Sequence, residues 1–268
     1  MLAMENTEKP TPRRLLLKLF SSRNGVQMNA SSAVRVGALF GISENNIRVT
    51  LTRLQSANLL QLVERGFYEL GAEGKLLANE INAWPTVEAT LCSWREDWIA
   101  VLTNTLEKSD RKAKRARERA FKLTGMQEVS NDFYIRPNNV IGGVNELRKR
   151  LFSLGLDKRA MVFNTSQFST PQEELNRRQW QSEALEEGYQ KGLQAIQQSL
   201  VRLNSLPLEE AAKESYLVGD NALQQLVFDP LLPAPLVDVS LRKLYRAKVH
   251  EYDQAGAAIW QQFLALDG

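Results

Sequence analysis

One cysteine and one histidine, Cys92 and His250, occur in 268 residues. A single cysteine cannot close an intramolecular disulfide, which suits a reducing cytoplasm. Its ordinary place is the core, as a small apolar side chain. Two such residues are too few for a zinc site of three or four His and Cys ligands. A Ser-His-Asp mechanism would rest on His250 alone, and no G-x-S-x-G elbow accompanies it. Neither G-x-G-x-x-G nor G-x-x-x-x-G-K-[ST] occurs, so a nucleotide cradle has no support. No apolar run approaches the ~18 residues of a membrane span, and residues 1–14 are too polar for a signal peptide. The inventory points to binding rather than chemistry, with no cofactor expected.

What is present is an ordinary folding composition, 43% hydrophobic and 24% charged, in a chain long enough for two or three domains. Charge is segregated along it. Residues 1–63 hold 8 Lys/Arg against 3 Asp/Glu, residues 100–168 hold 14 against 7, and residues 169–268 hold 9 against 14. A basic front and middle fit a polyanionic partner, and an acidic back does not.

Near the N-terminus, Thr11-Pro12 caps a helix that runs to Phe20 with Leu15, Leu16 and Leu19 on one side. Ser31-Ser32 reads as the cap of a second helix, ended by Gly41, and Ser43 as the cap of a third. Leu59–Val63 and Phe67–Leu70 then read as strands joined by the turn Glu64-Arg65-Gly66. Helix, glycine turn, helix and hairpin make a winged helix-turn-helix, the pair that sets its second helix in a DNA major groove.

Ile47, Leu51 and Leu54 recur at helical spacing and are expected inside. Glu44, Asn45, Arg48, Thr52 and Gln55 then point away, with Asn46, Thr50 and Arg53 on the flanks. Amides, hydroxyls and guanidinium groups match base edges and phosphates. The candidate DNA contacts are therefore Ser43, Asn45, Asn46, Arg48, Thr50, Thr52 and Arg53. Arg13 and Arg14 are added as phosphate contacts and Arg65 as the tip of the wing. Loss of Arg48 is expected to abolish specific binding. The competing reading is a solvated face, which any amphipathic helix has.

The middle reads as strand (Trp98–Thr103), helix (Asp110–Thr124), two strands (Met126–Val129, Phe133–Arg136), helix (Val144–Leu154) and strand (Ala160–Phe163), the split-βαβ order of a ferredoxin-like domain. Lys108 to Lys122 holds eight Lys/Arg. An auxiliary phosphate contact is one reading of this run. Glu107, Asp110 and Glu118 among the cations favour a solvated helix face instead. From Ser169 the chain reads as helices: Glu173–Leu203, Leu208–Glu214, Tyr216–Val227, and Leu241 to about Phe263. The proline-broken stretch Asp229–Leu236 precedes the last. The expected fold is α+β in three parts: a winged helix-turn-helix over 1–83, a ferredoxin-like domain over 84–168, and a helical effector and dimerisation domain over 169–268.

Three segments in order carry a family resemblance. They are Gly41-Ile42-Ser43 leading into Ile47–Leu54, Trp94-Arg95-Glu96-Asp97-Trp98 before the first central strand, and Phe228-Asp229-Pro230-Leu231-Leu232-Pro233. On these the chain resembles the PaaX family of regulators associated with phenylacetate catabolism. The resemblance implies a cytoplasmic homodimeric repressor, bound to double-stranded operator DNA and released by an acyl-CoA thioester. It names no effector-binding residue. The chain lacks the Trp-Pro-Gly expected after Pro233, and Tyr216–Val227 lacks the His and Arg often seen in that helix. Two alternatives stand beside this expectation: a metal-dependent nuclease using Asp97, Asp110 and Asp132, and a winged-helix module that binds protein.

Overall fold

In the computed structural model, residues 9–21, 27–63, 66–107, 109–180 and 182–265 are described, and the fold is α+β. Two contact-defined units share the chain. One comprises residues 1–85, 193–223 and 247–268, the other residues 86–192 and 224–246.

In the first unit, α1 (Pro12–Phe20) is capped by the Thr11 hydroxyl, which accepts from the Arg14 N–H. β1 (Met28–Asn29) leads into α2 (Ala30–Leu39). The cap of α2 is Asn29 rather than the expected serines. Its Oδ1 accepts from the Ser32 N–H at 2.8 Å, and Ser32 lies inside the helix. Gly41 then adopts φ +65°, the left-handed turn that Cβ-bearing residues resist. Ser43 caps α3 (Glu44–Ser56). β2 (Leu60–Leu62) and β3 (Phe67–Leu70) follow, and α4 (Ala72–Asn82) packs behind them.

The strands pair antiparallel in the order β1-β3-β2, with Met28 opposite Tyr68 and Leu60 opposite Leu70. Leu15, Leu16, Phe20, Val36, Ile47 and Leu54 are fully buried between the helices. Gly37 permits the closest approach: a Cβ there would sit 2.6 Å from Ile47 Cγ1. Burying each such large side chain contributes ~1.5–3 kcal/mol. This packing fixes which face of α3 is left outside.

The second unit begins with a 3-10 turn at Val87–Thr90. It is built on β4 (Trp98–Leu102), α5 (Arg111–Thr124), β5 (Gln127–Ser130), β6 (Phe133–Pro137), α6 (Gly143–Ser153) and β7 (Met161–Thr165). The antiparallel sheet has the order β5-β6-β4-β7, so α5 and α6 each carry the chain past one strand. Ile99 and Val101 face the helix side, against Phe121, Leu147 and Leu151. Trp98 faces the other way, and its indole N–H donates to Glu173 at 3.0 Å.

The helices after residue 169 differ from expectation. The predicted helix Glu173–Leu203 is two, α7 (Thr170–Arg178) and α8 (Ser182–Leu203). The predicted pair Leu208–Glu214 and Tyr216–Val227 is one, α9 (Leu208–Val227), because the Ser215 hydroxyl donates back to the Ala212 carbonyl and leaves the helix unbroken. α10 spans Val239–Ala265. Residues 169–268 do not separate as a third unit. Ala212, Tyr216 and Phe263 belong to the core of α1–α3, whereas residues 224–246 belong with the sheet of the second unit.

Within the second unit the Asp229–Pro233 stretch is a tie between elements. Asp229 accepts from the Tyr189 hydroxyl at 2.9 Å and from the Leu231 N–H at 2.8 Å. Asn139 donates to the Leu231 carbonyl, and buried Arg242 donates to that of Leu232 while its Nε lies 2.9 Å from Glu88. Burial raises the Asp229 carboxyl above the usual range, and those hydrogen bonds oppose the rise. Cys92, expected inside, is exposed. Its backbone N–H is tied to the Asn139 carbonyl, and that loop holds the thiol outward.

Candidate nucleic-acid interface

Ile47, Leu51 and Leu54 are at most 1% exposed, so a 3.6-residue period leaves Asn45, Val49, Thr52 and Ser56 along the opposite centreline of α3. All four are exposed. Arg53 and Asn46 flank one side and Arg48 and Gln55 the other, also exposed. Val49, Thr52, Arg53, Ser56 and Ala57 line an open depression in this face. It exists because the centreline residues are small.

The polar groups are not equally available. Arg48 Nε lies 2.7 Å from Glu44 Oε1, one turn earlier. Arg53 makes no ion pair among the described residues and stands in the last turn, where the helix dipole favours a cation. The Thr50 hydroxyl donates to the Asn46 carbonyl at 2.6 Å, and that of Thr52 donates to the Arg48 carbonyl at 3.2 Å. Ser56 does the same toward Thr52. With their protons committed to the helix, Thr52 and Ser56 present acceptor lone pairs outward, and Thr52 also a methyl. Ser43 is occupied as the cap of α3, its Oγ accepting from the Asn46 N–H at 3.4 Å.

Of the two arginines on α1, Arg13 is exposed. Arg14 is ion-paired with Asp220 of α9, so its charge is already balanced within the unit. Lys18 lies 3.2 Å from the other oxygen of Asp220 and over the Tyr216 ring. Burial outweighs that attraction and lowers the Lys18 ammonium to about 8. In the hairpin, Arg65 lies outside the described residues. Glu69 of β3 is held by the amides of Gln61 at 2.7 Å and Gln27 at 3.0 Å. Those bonds lower its carboxyl pKa and keep it charged.

The structure thus gathers Asn45, Asn46, Arg48, Thr50, Thr52 and Arg53 on α3. Arg14 is engaged elsewhere. Val49 and Ser56 were not among the sequence candidates, although the helical period that buries Leu51 and Leu54 puts both on the outer centreline. The carboxylates of the nuclease alternative do not converge. Asp97 accepts from the Asn138 amide, Asp110 caps α5, and the Asp132 carboxylate accepts from the Thr103 hydroxyl at 3.4 Å in a tight turn. Among the described residues no group of three or more His, Cys, Asp or Glu is placed to hold a metal ion. Nor is any helix long and apolar enough to cross a membrane.

No family model matches the chain, and no curated protein matches it. Among solved structures, an uncharacterized protein, Rv0674 from Mycobacterium tuberculosis, superposes with a TM-score of 0.63 at 18% identity. The alignment covers 94% of this chain and 98% of that one. At this identity the likeness is one of fold.

Proposed function

We propose that the chain is a DNA-binding transcription regulator whose first 85 residues act as a winged helix-turn-helix, with α3 in the major groove. The observation that supports this reading is the outer face of α3. It has a centreline of small residues that lets the helix approach base edges, and at its border an arginine, Arg53, with no ion pair among the described residues. An exposed Val49 on that centreline is costly in water and useful against a thymine methyl. Arg53 can take guanine in a bidentate pair worth ~1–3 kcal/mol of discrimination. Arg13 contributes a phosphate contact.

Following its resemblance to PaaX, the chain acts as a homodimeric cytoplasmic repressor, two α3 helices about one helical turn (~34 Å) apart on a near-palindromic operator. An acyl-CoA thioester releases it by binding the DNA-incompetent state more tightly than the DNA-bound one. The second unit supplies a ferredoxin-like core. Selection of duplexes from a random library by the full chain tests the reading. A recurrent two-fold motif is expected, and enrichment of no motif contradicts it. Thermal-shift screening with acyl-CoA thioesters, repeated with the selected duplex, tests the effector.

A further inference from the structure

α5 concentrates charge beyond what its fold needs. Between Arg111 and Thr124 it holds seven Lys/Arg and a single acid, Glu118. Only Arg117 of the seven is buried, and the inward face is otherwise Ala120, Phe121 and Thr124. Glu118 lies 3.9 Å from Lys114 on the same helix, and the Lys122 ammonium stands over the Phe228 ring. Arg111, Lys112 and Arg115 are exposed and make no ion pair among the described residues.

Two physical effects disfavour this arrangement in an isolated helix. Arg111, Lys112 and Lys114 occupy the first turn, where the dipole favours anions, and no acid shares that turn with them. Asp110, as the cap, offsets part of this by accepting from the Lys112 and Ala113 N–H groups. Arg111 and Arg115, then Arg115 and Arg119, are like-charge pairs at i,i+4, a spacing that destabilises. A solvated face needs charge, but it does not need unpaired charge of one sign at the wrong end of a helix. A polyanion lying along α5 removes both penalties.

We infer that the outer face of α5 is a second DNA contact, made to the phosphate backbone without regard to sequence. The inference rests on the DNA-binding reading of α3 but concerns a different surface and a different term. Successive steps from Arg111 to Arg115 to Arg119 rise ~6 Å along the helix. A duplex presents one charge per ~1.7 Å of axis, so such a row meets phosphates at any register. Hydroxyls, amides and apolar groups able to read bases are absent from the row, which is why the contact is sequence-blind.

The test uses the full chain carrying R111Q, K112Q and R115Q together, with affinity measured against salt on a selected duplex and on a random one. Each lost phosphate contact lowers the slope of log affinity against log salt by about 0.9. The expected result is a slope smaller by about 2–3 on both duplexes, an unchanged preference for the selected one, and a melting temperature equal to or above wild type. If the triple variant does not fold, R115Q alone is expected to lower the slope by about 0.9. Unchanged slopes overturn the inference, and so does a loss seen only with anionic phospholipid vesicles. A wild type that binds DNA with no sequence preference sinks the α3 reading and leaves the slopes to decide α5. A wild type that binds no duplex at low salt sinks both.

Discussion

Arg48 and Glu44 form an ion pair at 2.7 Å along the exposed face of α3. Both side chains are more than half exposed, so the pair contributes little to stability. It does mean that Arg48 must exchange a partner before it reaches a base, whereas Arg53 need not. The sequence alone points to Arg48 as the decisive residue; on the proposed DNA-binding reading, its pair with Glu44 makes Arg53 the stronger candidate. Arg53→Ala is expected to cost ~1–3 kcal/mol of discrimination between a selected duplex and a random one. Arg48→Ala is expected to cost less than half as much. Anisotropy titrations of both variants check the order, and a larger loss for Arg48→Ala contradicts it.

Gly125 ends α5 at φ +65°, and a Cβ there would lie 2.8 Å from the Pro230 Cα. Gly125→Ala combines a strained backbone with a clash against a backbone atom that cannot step aside. The expected loss is about 2–4 kcal/mol, read from urea unfolding. A loss below 0.5 kcal/mol, far short of the about 1–3 kcal/mol expected of an off-region residue alone, would mean that the Asp229–Pro233 stretch does not seat against α5.

Buried Arg242 and Glu88 make the other test of that region. Arg242→Met leaves Glu88 with Arg246, at 3.6 Å, as its cationic partner among the described residues. Breaking a buried pair from one side costs ~3–5 kcal/mol. Glu88 is partly exposed, so the lower end of that range is expected in thermal or chemical unfolding.

Lys18 gives a pH signature. Its pKa falls from 10.5 to about 8 on folding, so between those values the unfolded chain binds more protons and stability rises with pH. In Lys18→Met this contribution is absent. The wild type should therefore gain stability relative to the variant as pH climbs from 8 toward 10. Asp220, Arg14 and Tyr216, the groups that face Lys18, remain in both proteins. Parallel pH profiles would show that Lys18 keeps its proton.

Some of this architecture was legible in the residues and some was not, for identifiable reasons. Ile47, Leu51 and Leu54 announce α3 and its buried side because two successive helical spacings, of four and three residues, leave little choice. The order of strands and helices from Trp98 to Thr165 reads off the same way, since each element has its own apolar rhythm and Gly125, Pro137 and Gly155 mark the ends of α5, β6 and α6. β1 has two residues and no period, so neither it nor the Asn29 cap could be read. The length of α9 turned on Ser215, whose local hydrogen bond to Ala212 either breaks or decorates a helix.

Long-range partners were the least legible. An amphipathic stripe on α9 and α10 says that a face is buried but not against what, so Tyr216 and Phe263 gave no hint that they complete the core of α1–α3. The Arg14–Asp220 pair joins positions 206 apart, beyond any periodic signal. On α3 the partner of Arg48 was visible at i,i+4. The use of Val49 was not, because an apolar residue on an outer centreline reads as noise until the inner face is known.

The central claim is that α3 reads sequence and that Arg53 does much of the reading. Its most direct measurement is the ratio of affinities for a selected duplex and a scrambled one at fixed salt, for wild type and Arg53→Ala. Wild type is expected to prefer the selected duplex by at least about a thousandfold, the lower range for specific regulators. Arg53→Ala should cut that ratio by about ten- to a hundredfold while binding scrambled DNA nearly as well as before. An unchanged ratio in Arg53→Ala would contradict the account.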